Sequence, residues 1–418
     1  MEEVDVPSYF LCPISMEIMR DPVTVSSGIT YDRDFIERWI FSSKNNTCPV
    51  TRQPLLLSET DLMTPNHTLR RLIQAWCTLN ASKGIQRIPT PKPPVDNAQI
   101  VKLLNEGKTL QHQMRCLRSL RSIANESERN RKCLESAGAV EFLASIVANE
   151  SSSLRMVEED EGTSGGASTA EALYILHRLH ISEVGLKKLL ISRNGDFIER
   201  LMMRVLQHGS YTSRAYATLL LKSMFELSDP TYLMSLRVEH FVQIVNVLRD
   251  QISQQASKAS LQILVELCQW SRNRIKAVEA GAVSVLTEIL LETTEKRDSE
   301  MVLVVLDQLC GCAEGRAELL RHRAGIAVVS KKILRVSHVA TDRGVRILSS
   351  VSRFSATSSV LQEMLQVGVV SKLCLVLQVD CRFKTKEKIK EMLRLHSRVW
   401  KNSSCIPLHL LSSYPSHS

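Results

Sequence analysis

Most of this chain repeats one pattern, in which a basic or polar stretch is followed by an apolar pair, one or two small residues with a glycine, and then an apolar helix. Its central glycines are Gly138, Gly195, Gly281, Gly325 and Gly368. The last three are 44 and 43 residues apart, and Gly195 precedes Gly281 by 86 residues, which is two such periods. Units of this kind cannot bury an apolar face alone, so they must stack on their neighbours. The pattern predicts a mainly α protein whose body is a helical solenoid.

Two irregularities are consistent with the same period. A copy that has lost its glycine is expected near residue 238, where Val238–Leu248 supplies the apolar helix. The interval from Gly138 to Gly195 is 57 residues, and its excess falls on 150–168, an acidic insertion rich in Gly and Ser. This composition predicts that the insertion is disordered.

We count six copies over residues 98–402, each with a sharp turn at its glycine. The segment Glu279–Val283, which reads Glu-Ala-Gly-Ala-Val, resembles the armadillo repeat. The resemblance implies an armadillo-type α-solenoid whose groove holds a protein substrate. The surplus of Lys and Arg in this region indicates an acidic ligand segment. Nucleic acid is the alternative ligand, but no RNA-binding signature accompanies the basic residues, so we expect no nucleic-acid partner.

The N-terminal region does not contain this repeat and has its own motif. Two dipeptides, Cys12-Pro13 and Cys48-Pro49, lie 36 residues apart and enclose a predicted hairpin and a predicted helix. This arrangement is similar to a RING finger, which needs four Cys or His ligands for each zinc ion. Residues 9–76 offer only Cys12, Cys48 and His67 as candidate ligands. We therefore expect no metal, and charged and hydroxylated side chains are predicted to hold the loops by hydrogen bonds.

Without zinc ligands, the region resembles the U-box family, the zinc-free relative of the RING. The matching residues are Cys12-Pro13-Ile14, Asp21-Pro22-Val23, Gly28, Tyr31-Asp32-Arg33, Trp39, Thr47-Cys48-Pro49-Val50-Thr51, Leu55 and Pro65-Asn66-His67-Thr68-Leu69. The resemblance implies a small α+β domain over residues 5–82. It also implies a ubiquitin ligase that needs no cofactor and never carries ubiquitin covalently, so no residue is assigned a covalent catalytic role.

The resemblance further implies a shallow apolar patch, formed by Ile14, Trp39 and Pro49, that docks a ubiquitin-conjugating enzyme. A Trp in such a patch is a frequent hot spot of binding. The spacing alone leaves open that Ile14 and Trp39 are core residues. The bases of the two docking loops are assigned to Cys12, Pro13 and Cys48, with the thiols as small buried groups.

Arg52 follows the second Cys-Pro loop directly. The resemblance implies that it contacts the conjugating enzyme and ubiquitin together, and thereby favours the folded-back conformation of the thioester. A guanidinium suits this role because its five N–H donors form a planar fork. An intramolecular ion pair is the alternative role for Arg52.

Local signals predict two helices in the N-terminal region. Asp32 and Asn66 are predicted to be their N-caps, because short polar side chains accept hydrogen bonds from the first helical turn. One apolar face of the second helix is predicted to contain Leu69, Leu72, Ile73 and Trp76.

Two segments flank the repeats. Residues 83–97 include four prolines between Pro89 and Pro94, which predict an extended, semi-rigid linker. The tail, 403–418, resembles the C-terminus of small plant U-box/armadillo proteins and is predicted to be a flexible end.

The composition limits where the protein works. The chain carries a net charge of +9 and eleven cysteines without evident pairing, and its acidic N-terminus lacks the apolar core of a signal peptide. These features predict a reducing compartment, so we expect a cytoplasmic protein with the nucleus as a second location. The sequence contains no apolar run long enough to cross a membrane.

Both regions together predict a ligase that transfers ubiquitin from a conjugating enzyme to lysines of a protein held by the repeats. The resemblance implies a role in plant stress or immune signalling through proteasomal degradation, and it leaves homodimerisation open. The alternative is a non-catalytic armadillo scaffold or adaptor, which would not need its N-terminal domain.

Overall fold

The computed structural model describes residues 5–42, 45–55, 63–86, 95–149, 164–191, 196–401, 403, 406–407 and 414. The chain forms two compact units. The first contains residues 1–142 and 178–180, and the second contains residues 143–177 and 181–418. The described chain is mainly α, as the sequence predicts, and its three strands lie in the first unit.

The strands are β1 (Pro22–Val25), β2 (Thr30–Asp32) and β3 (Met63–Pro65). The helices up to residue 149 are α1 (Arg33–Glu37), α2 (His67–Leu79), α3 (Asn97–Glu106), α4 (Leu110–Glu126), α5 (Glu128–Ser136) and α6 (Ala139–Asn149). The next are α7 (Ser164–Arg178), α8 (Glu183–Ile191), α9 (Asp196–Arg200), α10 (Leu206–His208), α11 (Tyr211–Phe225), α12 (Pro230–Ser235), α13 (Val238–Arg249), α14 (Gln254–Leu267) and α15 (Ser271–Glu279). The last are α16 (Ala282–Glu292), α17 (Lys296–Leu309), α18 (Ala313–Arg321), α19 (Gly325–Lys332), α20 (His338–Phe354), α21 (Ser358–Gln366), α22 (Val369–Gln378), α23 (Phe383–Leu395) and α24 (Ser397–Trp400). Helix α1 continues into a π-helical segment, Arg38–Ser42, and α9 into another, Leu201–Val205.

The N-terminal domain is built on an antiparallel sheet with β1 in its centre. Val23 of β1 lies opposite Tyr31 of β2 on one side and Pro65 of β3 on the other. The predicted hairpin turn contains Gly28, whose φ of 79° suits a residue without a Cβ. Val23 and Tyr31 are fully buried and belong to a single apolar core that α1 and α2 cover.

The two predicted caps are both at helix N-termini, but only one works as expected. Asn66 caps α2 and accepts a hydrogen bond from the Leu69 N–H at 3.0 Å. Asp32 is the N-cap residue of α1, but its carboxylate accepts from the Arg20 N–H at 2.7 Å instead of from the helix. Asp32 therefore joins the start of α1 to the segment before β1.

Helix α2 packs through a narrower stripe than the sequence predicts. Ile73 and Cys77 are buried, and Leu69 and Trp76 pack against the same core. Leu72 was predicted on this face, but 52% of its surface is exposed. The prediction for Leu72 is wrong because consecutive residues on a helix are rotated by roughly 100°, which places Leu72 beside the buried stripe.

In the repeat region, a long helix closes each group of helices. The five long helices α11, α14, α17, α20 and α23 pack in succession and are named the third-helix layer. The predicted glycine turns are present at Gly138, Gly281 and Gly368, where φ lies between 73° and 87°. Gly325 instead starts α19, and a Cβ there would lie 2.0 Å from the Leu319 carbonyl oxygen. Gly325 therefore permits close packing and does not form a left-handed turn.

The remaining predictions for the repeats have different outcomes. Helix α13 supplies the copy expected near residue 238. Gly195, residues 150–163 and the prolines of 87–94 lie outside the described residues. Residues 164–168 belong to α7, so the prediction of disorder is wrong for this end of the insertion. Ser168 is buried at the start of α7, and its packing outweighs the poor helix propensity of the glycines before it.

The C-terminal tail also differs from its prediction. The Tyr414 hydroxyl is buried and donates to the Leu393 carbonyl of α23 at 2.7 Å, and Ile406 is 4% exposed. Trp400, at the end of α24, is fully buried and donates to the Leu361 carbonyl. The prediction of a flexible end is therefore wrong for these residues, because the tail closes the apolar end of the array.

Lysines join successive repeats through main-chain carbonyls. The donors and acceptors, about one repeat apart, are Lys276 to Leu236, Lys332 to Thr293 and Lys372 to Ser330. These carbonyls lie at or near helix C-termini, where the helix itself leaves them without partners. Burial lowers the pKa of each of these amines.

A carboxylate joins two members of the third-helix layer. Asp307 of α17 accepts from Arg343 at 2.7 Å and from Arg346 at 2.8 Å, both on α20. Only 8% of the Asp307 side chain is exposed.

In the part of the chain that the structure describes, no single helix has the length and apolar composition to cross a membrane. Helices α21 and α22 meet that test only as a pair, bent by 62°.

Candidate functional site

Each Cys-Pro dipeptide begins a loop, and the two loops have the same backbone arrangement. In each loop, the cysteine N–H donates to the carbonyl five residues later at 2.8 Å, and the residue four positions on donates back to the cysteine carbonyl at 2.8 Å. That fourth residue is Met16 in the first loop and Arg52 in the second, and both have φ of 59°. A positive φ is costly for a residue with a Cβ, so the surroundings must hold it. Both loops are therefore fixed in shape.

Strand β2 connects the two loops through their cysteines. The Asp32 N–H donates to Cys12 Sγ at 3.3 Å, and the neighbouring Tyr31 hydroxyl lies 3.0 Å from Cys48 Sγ. The Ser27 hydroxyl donates to Cys48 Sγ at 3.1 Å. Both thiols are almost completely buried, with 0% and 1% exposed. They serve as hydrogen-bonding centres inside the domain and are not accessible to a thioester.

Ion pairs complete the framework that replaces metal ligands. Arg33 Nε lies 2.6 Å from Asp21 Oδ2, and Arg70 Nη1 lies 3.7 Å from Asp21 Oδ1. Asp21 thereby joins the start of α1 to α2. Among the described residues, no group of three or more His, Cys, Asp or Glu is arranged to hold a metal ion.

Cys48 has an unusual electrostatic environment. Burial by itself would raise the pKa of the Cys48 thiol, but hydrogen bonds from Ser27, Thr51 and Tyr31 outweigh it and lower the pKa to about 6. Burial raises the pKa of Tyr31, so its hydroxyl keeps its proton and remains able to donate. The centre of the second loop is therefore suited to a buried thiolate.

We expect the ultraviolet thiolate absorbance of the folded protein to rise with a midpoint near pH 6, and Cys48→Ser to remove this step. Burial raises the pKa of Cys116 and Cys374 to about 11, so these thiols stay silent there. The pKa of Cys48 is lower in the folded state than its ordinary value of 9. Its stabilising effect relative to Cys48→Ser is therefore complete above pH 9 and lost as the pH falls through 6. A midpoint at the ordinary thiol value would contradict this assignment.

The three predicted docking residues lie at the loops and the helix. Ile14 and Trp39 are half-buried and pack on the edge of the core. One part of each side chain therefore belongs to the core, and the other part is exposed and available to a partner. Trp39 Nε1 donates to the Thr47 carbonyl at 2.9 Å, which ties the helix to the second loop. Pro49 follows in that loop and is half-buried, whereas Pro13 is exposed.

Two apolar residues of these loops were missed by the sequence reasoning. Met16 exposes 70% of its surface and Val50 exposes 54%. Each lies within four residues of a Cys-Pro cysteine, in a loop too short to bury it. An apolar residue without periodic partners beside a Cys-Pro pair is the signal that would have identified both.

Arg52 is exposed at the end of the second loop. The ion pairs found within the described ranges include none with Arg52, so the alternative of an intramolecular ion pair finds no support there. The guanidinium is therefore placed where a bound protein can reach it.

Comparisons with known proteins agree with this architecture. A model of the U-box domain matches residues 6–82, and a model of the plant U-box protein ARM repeat region matches residues 98–416. E3 ubiquitin-protein ligase PUB23 of Arabidopsis thaliana is 54% identical over 418 residues, which cover 99% of this chain and 98% of that protein. E3 ubiquitin-protein ligase PUB22 of the same plant is 53% identical and covers 99% of both chains.

A solved structure shares the fold of the repeats. It comes from work on a phosphorylation switch in the interaction between cadherin and beta-catenin, and its TM-score is 0.57 at 15% identity. The match covers 79% of this chain and 58% of that one. Together these findings confirm the predicted family, fold class and enzyme class: the chain belongs to the plant U-box E3 ubiquitin ligases with an armadillo-repeat region, and it is a RING-type ubiquitin transferase.

Proposed function

We propose that this ligase binds its ubiquitin-charged conjugating enzyme on one preformed docking surface of the U-box. The docking surface consists of Ile14, Met16, Trp39, Pro49 and Val50. The observation that carries this proposal is the hydrogen bond from Trp39 to Thr47, which holds the helix and the second loop together before any partner arrives. A surface that is already ordered loses little conformational entropy on binding.

Arg52 positions the thioester within this complex. Its planar donors bridge carbonyl groups of the conjugating enzyme and ubiquitin, and the bridge restrains an otherwise mobile donor. Such a restraint acts on the transfer step, because it favours the conformation in which a lysine attacks. Cys12 and Cys48 hold the bases of the two loops and form no covalent bond with ubiquitin.

The armadillo repeats hold the protein substrate. The third-helix layer gives them a continuous series of side chains for this purpose. Attack by a substrate lysine then becomes effectively intramolecular. The role in stress or immune signalling, proteasomal degradation, homodimerisation and a cytoplasmic location shared with the nucleus are also part of the proposal, and their support is the resemblance to the plant family.

The test of this function is Arg52→Ala in a reconstituted reaction that contains activating enzyme, conjugating enzyme and ubiquitin. We expect kcat for transfer to fall by about ten-fold to a hundred-fold, since a positioning interaction is lost. Binding of the conjugating enzyme should change little. Arg71→Ala removes another exposed arginine of the U-box and is the matched control. Unchanged transfer by Arg52→Ala would show that the thioester is positioned by other residues.

A further inference from the structure

A carboxylate of the U-box is buried against the first armadillo helices. Glu37, the last residue of α1, is 2% exposed. Its carboxylate accepts a hydrogen bond from the main-chain N–H of Arg129 in α5. Glu37 Oε1 has no hydrogen-bond partner among the described residues. Residues 37 and 129 lie in the same compact unit, so this contact joins the U-box to the first armadillo helices within that unit.

The N-terminus of α5 explains why a carboxylate is held there. The first turn of any helix has N–H groups that the helix itself leaves without acceptors. Ser127, the N-cap, accepts from the Asn130 N–H at 3.1 Å. The Arg129 N–H receives its acceptor from Glu37 instead. The positive end of the helix dipole further favours a negative group at this point.

The position of Glu37 on its own helix gives the contact a functional meaning. The segment Arg38–Ser42 continues α1 without a break and contains Trp39 of the docking surface. A tilt of this helix would separate Glu37 from Arg129. We propose that Glu37 is a positioning residue, which ties the helix that docks the conjugating enzyme to the first armadillo repeat and so fixes where the activated ubiquitin stands relative to that repeat. The functional part of this inference rests on the proposed docking surface.

The surroundings of Glu37 make this tie sensitive to pH. Burial raises the pKa of Glu37 from its ordinary value of 4.5 to about 7, although the charges of Arg33 and Arg129 favour the ionised form. Asp34 on the same helix raises the pKa further, and Lys132 of α5 also interacts with the carboxylate. While Glu37 is in contact with Arg129, its carboxyl group therefore keeps a proton up to about pH 7. If the contact were broken, the exposed carboxyl group would release that proton near pH 4.5. The tie is strongest at low pH and weakest above pH 7.

Hydrogen exchange of the full chain tests the contact directly. We expect Glu37→Ala to increase exchange at the Arg129 amide by about ten-fold or more, because a hydrogen bond to a carboxylate is lost. Glu37→Gln keeps an acceptor oxygen and should restore protection. It should also remove the loss of protection that the wild type shows as the pH rises from 4.5 to 7, after correction for intrinsic exchange. Glu17→Gln, a change of an exposed carboxylate of the U-box that does not interact with Glu37, is the control.

Kinetics test the positioning role. Glu37→Ala should lower kcat for transfer to the ligase's own lysines by several-fold, leave the affinity for the charged conjugating enzyme unchanged, and be rescued by Glu37→Gln. Unchanged exchange at Arg129 in both variants would overturn the contact. A Glu37→Ala variant that also loses affinity for the conjugating enzyme would show a purely structural role. A further outcome separates the two proposals. If Trp39→Ala does not weaken binding of the conjugating enzyme but the Glu37 variants change exchange at Arg129 as expected, the proposed docking surface is wrong and the contact between Glu37 and Arg129 is confirmed.

Discussion

Trp39→Ala is expected to abolish detectable ubiquitin transfer, including transfer to lysines of the ligase itself. Truncation of a Trp at the centre of an interface costs about 2 to 4 kcal/mol, which weakens binding roughly 30-fold or more. Here the change has a second effect, because it also removes the hydrogen bond from the indole to the Thr47 carbonyl. The measurement is the dissociation constant of the conjugating enzyme, followed by a transfer assay with the conjugating enzyme below its wild-type dissociation constant, where weaker binding lowers the rate.

Two further variants separate the effects at Trp39. Trp39→Phe keeps aromatic area but loses the N–H donor, so intermediate binding is expected. Leu72→Ala removes an exposed apolar side chain of the same domain outside the docking surface, and it should leave binding unchanged. Equal losses for Leu72→Ala and Trp39→Ala would mean that the docking surface has been placed incorrectly.

Asp307→Ala is expected to give the largest loss of stability among single changes in the ion pairs of the repeats. Removal of one partner from a buried pair costs about 3 kcal/mol, whereas an exposed pair contributes about 0 to 1 kcal/mol. Because the side chains of Arg343 and Arg346 are 30% and 46% exposed, we expect a loss between these limits, of about 2 kcal/mol. Asp307 is nearly buried and serves two guanidinium groups, so Arg343 and Arg346 would face each other without an acid. The urea midpoint should fall, and hydrogen exchange should increase in both α17 and α20.

Glu391→Ala is the matched control for this variant. Glu391 also pairs across neighbouring helices of the third-helix layer, with Arg353 at 3.0 Å. Its side chain and that of Arg353 are 61% and 57% exposed, respectively. Exposed pairs of this kind contribute about 0 to 1 kcal/mol. If both variants shifted the midpoint equally, burial would not determine the strength of these pairs.

Much of the U-box could be predicted because its signals are local. The strand pairing around Gly28, the cap at Asn66 and the two Cys-Pro loops all follow from residues adjacent in sequence. The positive φ of Met16 and Arg52 could not be predicted, since neither residue type favours it and the loop imposes it. The contact between Glu37 and Arg129 was also inaccessible, because it depends on how the domain packs on the first repeat.

The period of the repeats could be read from the sequence, but the structural role of the individual residues could not. The same glycine signal corresponds to a left-handed turn at Gly281 and to close packing at Gly325. The tail was misjudged because its apolar residues show no helical period, and the acceptor of its aromatic residue, Tyr414, lies on α23. The basic surplus was attributed to an acidic ligand, but part of it serves carbonyls at helix ends, as Lys332 does.

The lysines that join successive repeats have a consequence for a protein that works beside activated ubiquitin. An amine can attack a thioester only when it is free and has lost its proton. Lys276, Lys332 and Lys372 are half-buried, and each ammonium is engaged as a donor to the backbone of its neighbour. We therefore expect ubiquitin transfer to the ligase's own lysines to fall on lysines other than these three, whose amines are occupied by the hydrogen bonds between successive repeats.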